Sequence, residues 1–200
     1  MNVEIEHYDN GNIMIIKCRN DEGELHNPNG PASQSWYDNG QEDCRAYYIN
    51  GRYHREDGPA IHLWFKNGQE EDIEYWINGE CHREDGPAHQ WWYENGQEAG
   101  RSYWTNDKLH RKDGPARREW FENGQEEDRE YWINGELHRE DGPARREWFE
   151  NGKESLREYW IDGEELTERE FNNRKNTVEI KAEGKVTRIS RESAKALNLL

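Results

Sequence analysis

A block of 28 residues recurs along most of this 200-residue chain, and that period constrains the fold more than any other feature. The clearest part of one copy spans residues 130–152, EYWINGELHREDGPARREWFENG. Gly23, Gly51, Gly79, Gly135 and Gly163 mark one series of turns, with Asp107 in the remaining place, and Gly40, Gly68, Gly96, Gly124 and Gly152 mark a second. Between them stand His26, His54, His82, His110 and His138, each followed four residues later by Gly-Pro-Ala. With such a period, each unit buries its apolar face only by stacking on the next. Function is then to be sought where the copies differ.

A hydrophobic content of 32%, a charged content of 35% and a mean hydropathy of −1.42 would ordinarily describe a disordered chain. Ten Trp, ten Tyr and four Phe recur in register with the period and supply the missing buried area. An elongated particle with a thin aromatic layer is expected. The net charge of −16 is uneven, because residues 174–200 carry seven Lys/Arg against three Glu and leave −20 on the rest. An acidic body repels nucleic acid and anionic membrane. Direct nucleic-acid binding is therefore expected only through the basic tail, no membrane partner is expected, and the favoured partner is a protein, of basic or nucleic-acid-binding type.

Cys18, Cys44 and Cys81 show no metal-ligand spacing, and Cys81 stands where other copies have Tyr53, Leu109 and Leu137, so a packed apolar role is expected. No signal peptide opens the chain and no apolar run approaches the roughly 18 residues of a spanning helix. These features predict a cytoplasmic protein, in the host cytoplasm if it is phage-encoded.

Asn-Gly between apolar runs is a strong hairpin signal, since both central residues of a type I′ turn need positive φ. Residues 1–22, with Asn10-Gly11 between apolar runs, read as an N-terminal capping hairpin. Residues 23–165 hold the repeats. In the fourth full copy, a two-residue turn at Asn123-Gly124 sets Arg117 opposite Glu130, Trp120 opposite Glu127 and Phe121 opposite Glu126. The turn at Asn134-Gly135 sets Trp132 opposite Leu137, Tyr131 opposite His138 and Glu130 opposite Arg139. Such pairs contribute about 0.2–1 kcal/mol each. The expected fold is mainly β, an elongated antiparallel β-meander repeat, solenoid-like, of about five 28-residue units, as a single twisted sheet or as two layers. The prolines belong at corners, where no ladder N–H is needed.

Residues 166–200 read as a C-terminal helix followed by a small basic ββα element. Thr167 and Glu170 form a capping-box pattern for a helix over about 168–173. Residues 178–180 and 186–189 flank Glu183-Gly184 as a hairpin. Ser190 caps a last helix through Leu199, with Ala194, Leu197 and Leu200 packed on that hairpin.

The segments Trp36-Tyr37-Asp38-Asn39-Gly40-Gln41, Trp64-Phe65-Lys66-Asn67-Gly68-Gln69, Trp92-Tyr93-Glu94-Asn95-Gly96-Gln97, Trp120-Phe121-Glu122-Asn123-Gly124-Gln125 and Trp148-Phe149-Glu150-Asn151-Gly152-Lys153 resemble MORN-variant repeats, over about residues 5–165. This unit is longer and carries an inserted His-Arg-Glu-Asp corner. The resemblance implies a non-catalytic binding scaffold of the antitoxin, immunity or phage and large-virus type.

The His-Arg-(Glu/Lys)-Asp sets at His54, His82, His110 and His138 are the most tempting chemistry, as metal ligands or acid/base pairs. Four near-identical copies argue instead for structure, because an active site needs one asymmetric constellation. In that reading His faces an aromatic, Arg pairs with a cross-strand Glu, and Asp shapes the turn before Gly-Pro. No catalytic residue, metal ligand or cofactor is assigned, and the chain is not expected to be an enzyme.

The variable windows are the better candidates for a partner. After each Pro-Ala the copies read Ser33-Gln34-Ser35, Ile61-His62-Leu63, His89-Gln90-Trp91, Arg117-Arg118-Glu119 and Arg145-Arg146-Glu147. His62, Leu63, His89, Trp91, Arg117, Arg118, Arg145 and Arg146 are candidate contact residues, since interface hot spots favour such side chains. Equally, Arg117 pairs with Glu130 and Arg145 with Glu158 as framework, while His62 and Trp91 extend the core. A second window on the partner strand sets Arg129 opposite Arg118, which is unfavourable unless a carboxylate or bound anion lies between them. Two further readings are an acidic mimic of nucleic acid built on Glu42, Glu70, Glu98, Glu126 and Glu154, and a sponge for a small anionic nucleotide.

Overall fold

In the computed structural model, which describes residues 1–182 and 185–198, thirteen strands pair antiparallel into one open sheet. It runs from Asn2–His7 at one edge to Glu164–Leu166 at the other. The fourth unit shows the plan. Arg117–Trp120 pairs with Glu126–Glu130, the chain turns aside into a hairpin of Trp132–Ile133 with Glu136–Leu137, and it returns as Arg145–Trp148 beside Glu126–Glu130.

The antiparallel meander is present, and one of its predicted pairings is corrected. Trp132 does face Leu137, but Glu130 faces Arg145 of the next unit and not Arg139. The incoming corner causes this. Tyr131 N–H donates to Ala144 O at 2.8 Å, so the corner occupies the edge along which the third strand would have extended the ladder. His138 N–H still reaches Tyr131 O at 2.9 Å, in agreement with that predicted pair. The architecture is a single sheet bordered by a row of small hairpins, linked from unit to unit by bonds such as Arg111 N–H to Trp132 O, 3.0 Å. The last sheet hairpin differs, because Glu154–Ile161 runs on unbroken to pair with Glu164–Leu166.

The two Asn-Gly series make different turns. In the border hairpins both residues have positive φ, 54° and 85° at Asn134-Gly135, as type I′ requires. In the sheet hairpins only the glycine does. Gly124, at φ 81°, closes a three-residue loop in which Gly124 N–H reaches Phe121 O and Phe121 N–H reaches Gln125 O, both at 2.8 Å. Arg117 therefore faces Glu130 as predicted, but the register slips after Glu119 and Trp120 faces Glu126, not Glu127. A β-bulge of this kind recurs at Trp36, Trp64, Trp92 and Trp148. Asn10-Gly11 is likewise of this second kind, with only Gly11 at positive φ and a slip between Glu6 and His7.

Four of the corners each end in a fully buried alanine: Ala60, Ala88, Ala116 and Ala144 are 0% exposed. Over each corner lies the arginine of His-Arg-Glu-Asp, which stacks on a tyrosine and closes its own loop. The Arg139 guanidinium sits 3.9 Å from the Tyr131 ring centroid, its Nε donates to Asp141 Oδ1 at 2.6 Å, and its Nη1 donates to Pro143 O at 3.2 Å. Arg55 and Arg83 repeat this arrangement, whereas Arg111 keeps the stack and the carbonyl bond. The predicted cross-strand Arg–Glu pair is thus corrected to a pair with the Asp two residues on. Histidines stitch one unit to the next, as where Asn134 N–H donates to His110 Nδ1 at 3.1 Å.

At the C-terminal end the capping box is present, with Glu170 N–H bonded to Thr167 Oγ1 and Thr167 N–H to Glu170 Oε2. The helix runs Glu168–Asn176, longer than predicted, and buries Phe171 against Tyr159 and Leu166. Thr177–Ala182 and Lys185–Ser190 form the expected hairpin, and Ser190 caps the helix Arg191–Ala196. Ala194 is buried, but Leu197 is exposed, against expectation. The predicted Glu183-Gly184 turn and the ends at Leu199 and Leu200 lie outside the described residues. Among the described residues no helix is long and apolar enough to cross a membrane.

Candidate functional site

Side chains alternate across a strand, so the sheet divides the candidate residues between its two faces. On one, the ladder face, a tryptophan and a glutamate repeat in every unit, flanked by arginine in all but the Glu70 unit. Glu126 is held between the opposed Arg118 and Arg129, accepting from Arg118 Nε at 2.8 Å and from Arg129 Nε at 2.9 Å. The like-charge opposition predicted from sequence is therefore present, and the slipped glutamate is the carboxylate between. Arg118 and Arg101 both stack on Trp120, at 4.8 and 5.1 Å. Arg146 and Arg157 hold Glu154 in the same way, and their hydrogen bonds pull its carboxyl down to about 2.

The rest of the acidic ladder is similarly engaged. Arg45 holds Glu42, Arg101 lies 3.6 Å from Glu98, and His62 Nε2 lies 3.2 Å from Glu70 while stacked on Trp64. Four of the five glutamates are thus matched by arginine.

The second face, the groove face, holds a cavity between Phe121 and Phe149 and gathers the other five contact candidates, Leu63, His89, Trp91, Arg117 and Arg145. Along its floor the units read Ile61 and Leu63, then His89 and Trp91, then Arg117 and Glu119, then Arg145 and Glu147. Facing them from the partner strands are Asp72 and Glu74, Gly100 and Ser102, Asp128 and Glu130, and Leu156 and Glu158. Trp91 lies flat on Gly100, where a β-carbon would stand 2.1 Å from the ring. No other unit pairs a tryptophan with a glycine at these positions.

Toward the C-terminal end the floor is a charged network. Glu130, 5% exposed, lies 4.0 Å from Arg117 and 3.3 Å from Arg145 and accepts from Trp132 Nε1 at 2.9 Å. Arg145 also reaches Glu158 at 3.9 Å, so both framework pairings weighed from sequence are present. Asp128, 9% exposed, is pushed up to about 7, chiefly by burial and next by the Glu130 charge, against the pull of Arg117 and Arg145. Between Phe121 and Phe149 the groove opens to ≈ 530 Å³.

Sequence reasoning offered His89, Trp91, Arg117 and Arg145 as contact residues; it set Glu130 opposite Arg117 as framework and met Asp72 and Asp128 in the second variable window, but counted none of these three, nor Glu74, as a site residue. The signal was available in the second variable window, whose alternate residues share this face. All three thiols are free, and burial first and nearby acids next push Cys44 to about 11 and Cys81 to about 12. No protein-family model matches the chain, and no curated protein matches it.

Proposed function

We propose that this chain is a non-enzymatic repeat scaffold whose groove face docks another protein and blocks it, as an antitoxin, an immunity protein or a phage-encoded inhibitor of host defence does. What carries this reading is the partition of variation between the faces. The ladder face keeps its tryptophan and glutamate in every unit and builds the frame. The groove floor changes from Ile61 and Leu63 through His89 and Trp91 to Arg117 and Arg145, grading from apolar to charged along one continuous surface. Trp and Arg are the side chains on which interface energy concentrates. The MORN-variant resemblance points the same way.

Partner capture followed by affinity measurement tests it. Leu63→Asp, Trp91→Ala and Arg117→Glu are each expected to weaken binding at least tenfold, about 1.4 kcal/mol. Arg118→Ala and Arg146→Ala on the ladder face should change it less than threefold. The reverse ranking would move the docking surface to the ladder face, and no change in any variant would remove the reading. An acidic mimic of nucleic acid needs free carboxylates and would be weakened by Glu98→Gln and Glu126→Gln. The engagement of those residues by arginine gives it no support from the ladder.

A further inference from the structure

On the groove floor, His89 stands opposite Glu74 and Trp91 opposite Asp72. His89 Nε2 lies 2.7 Å from Asp72 Oδ2, and Glu74 completes a set of three donor atoms all within 4.8 Å of one another. Asp72 Oδ1 is buried without a hydrogen-bond partner. Glu74 Oε2 accepts from Trp76 Nε1 at 2.6 Å, which fixes its carboxylate toward the floor.

The molecule contains its own reference for this arrangement. Two periods on, the same strand positions carry Asp128 and Glu130, and there two guanidiniums, shared with Glu119 and Glu147, stand beside the carboxylates. Arg145 lies 3.9 Å from Asp128 and 3.3 Å from Glu130, with Arg117 on the other side. Around Asp72 and Glu74 those two arginine places are taken by His89 and Ile61. The remaining floor neighbours, Leu63 and Trp91, bring no charge. A carboxylate pair withdrawn from water is costly unless positive charge is brought to it. Here an imidazole stands where a guanidinium does elsewhere, and imidazole is the nitrogen donor that transition metals favour.

We propose that Asp72, Glu74 and His89 bind a first-row divalent metal ion of the zinc type, through His89 Nε2 and one oxygen of each carboxylate. Mixed nitrogen and oxygen donors suit such an ion. Bonds of about 2.0–2.1 Å place tetrahedral ligands roughly 3.3 Å apart, which falls between the 2.7 and 4.8 Å that bracket this set. Three protein ligands leave one position for water. The ion does for this unit what Arg117 and Arg145 do for the later one. This assignment does not rest on the docking reading, and either can fail alone.

Titration of chelator-stripped protein with Zn²⁺ by calorimetry, and with Co²⁺ by visible absorption, tests it. Wild type should take up one ion per chain at micromolar or lower concentration, with a nitrogen and oxygen ligand spectrum for cobalt. Asp72→Asn and His89→Arg should each lower zinc affinity by about a hundredfold or more, since even partners behind the ligands are worth 10–100-fold. His89→Arg rebuilds the later unit's arrangement, so it should melt at or above the temperature of metal-free wild type while losing the zinc-induced shift. That separates a lost ligand from a lost fold. His7→Ala, in the outermost strand, should bind as wild type does. Millimolar or weaker binding by wild type, or binding that survives in either ligand variant, overturns the proposal.

Discussion

Gly100→Ala provides a sharp test of how the groove floor is packed. A β-carbon there would stand 2.1, 2.4 and 2.6 Å from Cζ2, Cε2 and Cη2 of Trp91, whereas carbon atoms rest about 3.5–4.0 Å apart. The indole must therefore rise by more than an ångström or swing off the sheet, away from His89, whose ring centroid lies 4.5 Å away. Overpacking of this kind costs about 1–3 kcal/mol. Gly100 has no left-handed backbone to protect, so alanine also restricts the unfolded chain and returns about 0.4–1 kcal/mol.

The net expectation is a loss of about 1–2 kcal/mol, or roughly 2–8 °C in Tm for a chain of this size. With Trp91→Ala already in place, the same substitution should reverse sign and stabilise by about 0.4–1 kcal/mol. Urea unfolding of the two single variants, the double variant and wild type reads the coupling. A ring resting on the glycine makes that coupling exceed the ~0.5 kcal/mol within which independent sites add. If Gly100→Ala costs as much without Trp91 as with it, the ring does not rest on the glycine and this account of the floor is refuted.

Two further outcomes follow from single side chains. Burial sets the folded-state value of Asp128 at about 7, above its ordinary 3.8, so folding takes up a proton and stability falls as pH rises through that window. Asp128→Asn should gain on wild type between about pH 4 and pH 7 and hold a constant advantage above, measured by urea melts; a pH-independent difference would contradict this. Arg139→Ala removes a ring stack and two hydrogen bonds from one corner, and should lower stability by about 1–3 kcal/mol by thermal unfolding. Arg139→Lys should recover less than half of that, because an ammonium lacks the planar fork that stacks and bonds at once.

The period and its alternation made the main strands readable, and with them the pairs Arg117–Glu130 and Trp132–Leu137. They did not reveal the loop length at Asn123-Gly124, because Asn-Gly serves a two-residue type I′ turn and a three-residue loop equally well. One residue of slip exchanges the faces of its neighbours. Glu126 then joins Trp120, Arg118 and Arg129 on the ladder face, while Glu127 lines the groove with Phe121. Arg118 opposite Arg129 did not decide between the two loops, because a two-residue loop would set Glu127 beside those arginines as the bulge sets Glu126. The partner of Glu130 was misread for a different reason. It depends on the following corner, 14 residues after Glu130, whose Ala144 carbonyl takes the Tyr131 N–H and sets Arg145 opposite Glu130.

The separation of frame from floor explains how one rod can carry so varied a surface. The bonds that join units run through backbone groups and through His Nδ1. They do not depend on which side chain occupies a groove-floor position. Ile61, His89, Arg117 and Arg145 can therefore occupy equivalent places without disturbing the stacking, and each change is felt only by the facing strands. That local character is what a quasi-one-dimensional repeat provides, because each unit meets only its neighbours. It also locates the risk. A floor carboxylate retained from one unit to another, as Glu74 is in the place of Glu130, loses its counter-charge as soon as the facing arginine changes. The pair Asp72 and Glu74 has met that condition, and the histidine opposite them is the one residue on this floor able to bring a cation in its place.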